Sequence, residues 1–166
     1  MPEDTDLVNL ATALGMACFQ GQSLEHTLVS LFAASKVADL GHWTPEIRQL
    51  MDHRYAQTLG RLVRDATKDL DLPASIQAEL EDSLAKRNWV IHHFYREYGA
   101  AGLSNSLARK ATHRLNKIWP SLAVTAEKLN ELVVQRSAIS GRTIEQVQSD
   151  TRHALEEYLR DRAREA

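Results

Sequence analysis

Residues 80–98 read LEDSLAKRNWVIHHFYREY, and the apolar positions in this stretch decide how the chain folds. Leu80, Leu84, position 87, Ile91, Phe94 and Tyr98 follow a 4-3-4-3-4 spacing. That is the period of one face of an amphipathic helix, not the alternation of a strand. Position 87 on this seam is an arginine. A guanidinium beside a core is costly unless it is paired or faces another surface. Arg87 therefore asks for a partner. Asn88 and His92 lie one helical turn apart on the flank of the same seam.

The helical period continues on both sides. A first helix is predicted from a cap at Asp4 or Thr5 to about Leu40, with Leu7, Leu10, Leu14, Ala17, Leu24, Leu28 and Leu31 on its apolar stripe. Gly15 and Gly21 read as kinks or close-packing points, and Gly41 as the stop. Thr44-Pro45-Glu46 is a start signal, with an N-cap threonine, proline at the first position and an acid in the first turn. It predicts a second helix from Ile47 through Leu59 and Leu62 to Ala66. Asp71-Leu72-Pro73 breaks the chain and starts a third, which ends near Gly99 and Gly102. The fourth runs from Ser104 through Leu115, Leu122 and Val133, with a kink or interruption at Pro120. Thr143 and Gln146 resemble a capping box for a last helix along Ile144–Tyr158.

No stretch alternates convincingly with period two, and the connections are short. Short links between long helices make neighbours antiparallel. The expected fold is all-α, an up-and-down bundle of four to five helices in a single domain over residues 1–166, with 160–166 as a frayed tail.

Composition narrows the function. With 166 residues and 43% hydrophobic content, the chain can bury one real core. A single cysteine, Cys18, excludes an intrachain disulfide and a cysteine-based zinc cluster, and its neighbours Leu14 and Phe19 suggest a buried thiol. No apolar run is long enough for a membrane span, and the acidic start (Glu3, Asp4, Asp6) is wrong for a signal peptide. The expectation is a cytoplasmic protein that does not engage membranes. The net charge is only −2, but it is unevenly spread. Residues 86–117 hold seven lysines and arginines against Glu97 alone, whereas 65–82 hold six acids against Lys68. A basic segment that also carries His92, His93 and His113 could attract a polyanion, or could be a set of ordinary solvated helix faces.

Arg87, Asn88 and His92 form the pattern R-N-x3-H. This resembles the HEPN superfamily, small all-helical proteins marked by an arginine, a polar residue and a histidine in R-x4-6-H spacing. The resemblance covers the motif, its place on a helix that follows several others, and the chain length. It implies a homodimer in which two motif helices meet to make one site. It also implies metal-independent cleavage of RNA, often by a toxin of a toxin–antitoxin or phage-defence system with an antitoxin partner. Other members have lost catalysis and act as binding or dimerisation modules, and that alternative stays open here.

The chemistry is coherent in its own right. Cleaving RNA without a metal needs a base for the 2′-hydroxyl proton, an acid for the leaving oxygen and positive charge for the phosphorane-like transition state. His92 can serve as base or acid, since histidine titrates near neutrality. Arg87 can grip phosphate with its fork, and Asn88 can position the imidazole or donate to phosphate. His93 projects about 100° away from His92 on an ideal helix, so a second acid–base group is more simply drawn from a partner. Lys86, Arg96, Arg109 and Lys110, with His93 and Tyr95, are candidate auxiliary RNA contacts.

The bland reading pairs Arg87 with Glu25 of the first helix, which would fix the packing of two helices, and both readings can hold together. Trp89, Phe94 and Tyr98 read as core, with Tyr95 the aromatic most suited to a base. His93/Glu97 and His153/Glu157 have helical metal-ligand spacing but lack a third ligand, so neither a metal nor a cofactor is expected. The sequence also has no phosphate-binding glycine loop, no nucleophile elbow and no dinucleotide fingerprint.

Overall fold

The computed structural model describes residues 4–139, all of which are helical or in short connections. The helices are α1 (Asp4–Leu40), α2 (Pro45–Tyr55), α3 (Leu59–Asp69), α4 (Ala74–Asn88), α5 (Phe94–Tyr98) and α6 (Asn105–Ile139). A π turn over Trp89–His93 joins α4 to α5, and a 3-10 turn over Gly99–Leu103 follows α5. The predicted last helix, the His153/Glu157 pair and the tail lie outside the described residues.

The contacts give the direction of each helix. Ile47 of α2 packs on Ala33 and Val37, and Tyr55 reaches back to His26, so α2 descends along the upper half of α1. Gly60 of α3 sits against Leu84, while the Leu70 carbonyl accepts from Arg136, so α3 ascends. In α4, Glu79 meets Lys128, Ser83 meets Thr125 and Lys86 meets Ser121, a descending register against ascending α6. Consecutive rods are antiparallel, as an up-and-down bundle requires. Because α4, the π turn and α5 form one rod, the described rods number five, and the two longest, α1 and α6, run parallel: Asp6 pairs with Arg109 and Ser35 with Arg136.

One core fills the bundle. Leu24, Leu28 and Leu31 of α1 meet Leu59, Leu62 and Ala66 of α3, Leu80 of α4, and Leu115, Leu122 and Leu129 of α6, all essentially sealed from water. Each such leucine contributes about 1.5–3 kcal/mol by leaving water. Ser83 and Thr125 are also buried, and their hydroxyls bond at 3.0 Å, so two small polar groups let α4 and α6 approach closely without an orphaned donor.

Several boundaries differ from the sequence reading. The segment 45–66 is two helices, broken at 56–58. Thr58 begins the second, its backbone extended and its hydroxyl accepting from the Arg61 amide. Thr44 has cap backbone geometry, but its hydroxyl makes no cap bond. Gly41 does end α1, at φ +77°, a conformation that glycine adopts freely. Pro120 lies inside α6 without interrupting it. Cys18 is half-buried rather than sealed, packed at the edge of the core.

Candidate functional site

The largest departure from a regular helix falls inside the motif. The Phe94 amide bonds to the Trp89 carbonyl five residues back, where an α-helix would use four. His93 absorbs the change with φ −115° and ψ −23°. The extra residue rephases the apolar seam. Val90 takes the core position and Phe94 stays buried, while Ile91, which the spacing placed on the seam, is turned outward and 48% exposed.

The same turn alters the relation of Arg87 to His92. Five residues apart on a regular α-helix, they would point about 140° away from each other. A π turn holds about one residue more than an α turn, so residues five apart come closer to one face. Asn88 and His92, four apart, remain on neighbouring azimuths. His92 and His93 are exposed, and Asn88 is half-buried.

Arg87 leans on α1. Its Nη2 donates to Glu25 Oε1 at 2.7 Å, and both side chains are about a quarter exposed (26% and 27%). Its stem crosses Gly21, where an added Cβ would meet Arg87 Cγ at 3.1 Å. The expected partner is thus present, and one of the two predicted close-packing glycines makes room for it. A guanidinium carries five N–H donors, and the bond to Glu25 uses one.

Trp89 clamps the π turn to α6. Its indole N–H donates to Glu97 Oε1 at 2.7 Å, Arg114 donates to the other carboxylate oxygen at 2.5 Å, and the Arg114 guanidinium lies 3.7 Å over the Trp89 ring. Trp89 and Tyr98 pack edge-on and Phe94 and Tyr98 stack, so these three aromatics are structural, as expected. Tyr95 is the exposed one, at 76%. Glu97 is thereby committed to an indole and a guanidinium, which removes it as a ligand beside His93.

The predicted auxiliary contacts separate into two groups. Lys86 turns towards Asp82 and Ser121 and is occupied. Arg96 is exposed. Arg109, held by Asp6, and Lys110 line an open groove together with Tyr98, His113, Arg114 and Lys117. His113, Arg114 and Lys117 were legible as part of the basic run, and their spacing from Lys110 was the unused signal: 110, 113 and 117 share one helical face. Among the described residues, no three histidine, cysteine or acidic side chains cluster as a metal site, and no helix is long and apolar enough to cross a membrane.

Comparison with protein-family models, curated proteins and solved structures finds no match to this chain.

Proposed function

We propose that this protein is a HEPN-like, metal-independent endoribonuclease acting as a homodimer. The π turn between Arg87-Asn88 and His92 is the observation that carries the reading. π turns are uncommon and concentrate at functional sites, and this one shifts the phase of the helix between Arg87 and His92 while His92 stays open to solvent. Ile91 and Tyr95 expose apolar surface on either side of His92, which suits a helix that meets its own copy.

In the proposed reaction, His92 takes the proton of a 2′-hydroxyl, and the oxygen attacks the adjacent phosphorus. The bond to the 5′ oxygen breaks, and the second subunit's copy of this histidine returns a proton to that leaving group. The products are a 2′,3′-cyclic phosphate and a 5′-hydroxyl. Arg87, steadied by Glu25, holds the phosphate oxygens with its remaining donors, and Asn88 positions the imidazole. On the family resemblance, an antitoxin protein would cover the motif face.

A second reading is favoured by the Arg87–Glu25 bond and its seat on Gly21. By themselves these make Arg87 a packing residue of a non-catalytic helical module.

RNA incubated with the wild-type chain in excess chelator, beside Arg87→Ala and His92→Ala, separates the two. The nuclease reading expects cleavage with 5′-hydroxyl ends, reduced about 100-fold or more by either substitution. RNA left intact by the wild type supports the module instead.

A further inference from the structure

We propose that the groove between Tyr98 and the first half of α6 is a track for the phosphate backbone of single-stranded RNA. The choice of RNA among polyanions rests on the ribonuclease reading; the site itself rests on geometry. Lys110, His113 and Lys117 stand on one face of α6, all exposed, and none forms an ion pair or hydrogen bond with another described residue. Arg109 and Arg114 flank them, each held in place by an acid, Asp6 and Glu97 respectively. Fixed cations at the margins and uncommitted ones along the middle suit a ligand that brings its own negative charge.

The shape favours a strand over a small molecule. The groove has a volume of about 500 Å³, yet it is open along the helix rather than enclosed. From Lys110 to Lys117 the helix rises about 10 Å. That length exceeds a single phosphate group and accommodates a short run of backbone phosphates. Tyr98, held against Phe94 and Trp89, forms one wall of the groove.

The groove also borders the helix that carries the motif. Arg114, one of its lining residues, lies over Trp89, the residue that follows Asn88.

The test uses the full chain carrying His92→Ala, so that bound RNA survives, and follows the anisotropy of a labelled single-stranded RNA of mixed sequence across a salt series. Adding Lys110→Gln and Lys117→Gln together should weaken binding about tenfold at low salt. It should also lower the slope of log affinity against log salt by about 1.4, since each single-strand phosphate contact contributes about 0.7. Both lysines are exposed, and a thermal melt checks that the fold is intact. Unchanged affinity and slope in the lysine variant would overturn the track. So would equal displacement of the RNA by oligoglutamate of matched charge, which would mark the groove as a plain cation-rich surface. A chain that binds RNA through these lysines but never cleaves it keeps the track and removes the nuclease. One that cleaves while the lysine variant binds normally does the reverse.

Discussion

Gly15 and Gly21 are six residues apart on α1 and differ in what a methyl group would meet. At Gly15 there is nothing within 4 Å, whereas at Gly21 the new Cβ would lie 3.1 Å from Arg87 Cγ. Alanine is the better helix former by about 1 kcal/mol in either place. Gly15→Ala should therefore stabilise the protein by about 0.5–1 kcal/mol. Gly21→Ala should gain less, because the Arg87 stem must give way. Gly21→Leu cannot be absorbed by that small movement and should destabilise by about 1–3 kcal/mol, while cleavage falls as Arg87 is displaced. Urea unfolding of the three variants gives the ranking, and equal gains at both positions for alanine would mean that Arg87 does not rest on α1. This contact was half legible in the sequence. Glu25, Arg87 and Gly21 each stand out as a charge or a gap beside an apolar stripe, but no one-dimensional pattern states that the gap at 21 serves the residue at 87.

The helices were more legible than their interruptions. The long helices show themselves in different ways: α6 keeps an apolar stripe from Ala108 to Leu129, whereas α1 is recognised by an uninterrupted run free of proline, with residues around 28–35 buried on nearly every side. A break needs only one or two residues and leaves little trace. Thr58 caps α3 through a hydroxyl that could equally sit inside a helix, and the run from Ile47 to Ala66 keeps its period across the break. The π turn is harder still, because its cause is the competition between Val90 and Ile91 for one core position, decided by packing against α1 and by the Trp89–Glu97–Arg114 clamp. This makes a direct test available at the level of the element. Deleting His93, with His93→Ala as the control for loss of its side chain, removes an exposed residue and lets 85–97 close as a regular α-helix, with Val90 and Phe94 still facing the core and Arg87 and His92 still five apart but about 140° away from each other. The variant should keep its helical circular dichroism and stay within about 1 kcal/mol of wild-type stability. On the proposed reading its cleavage should drop at least about tenfold, because the histidine is carried to a different azimuth relative to Arg87. Full activity in a folded deletion variant would show that the π turn has no part in the chemistry.

At the level of the whole molecule, the parallel contact of α1 with α6 leaves the motif helix beside both of them, with one side sealed and one side open. The sealed side carries Val90 and Phe94; the open side carries Ile91, His92 and Tyr95. Topology of this kind follows from the number of rods, and one missed break inverts it: with 45–66 read as a single helix the first and the long late helix would be antiparallel, and the interruption at 56–58 makes them parallel. What the open side meets is not written in one chain. If two motif faces meet about a two-fold axis, every substitution on that face counts twice, so a single buried charge should be enough to part the subunits. Ile91→Asp places a carboxylate there without touching the core of its own chain. Sedimentation should find the wild type dimeric and Ile91→Asp monomeric, with the same melting temperature when both are diluted to monomer. Cleavage should fall with the dimer, because the acid and the base would come from different subunits. RNA binding along α6 should persist, since Lys110 and Lys117 lie on another helix. A wild type that is monomeric at every concentration, yet cleaves RNA, would require both proton transfers within one chain. His93, exposed beside His92 and already rotated by the distorted turn, would then be the group to substitute next.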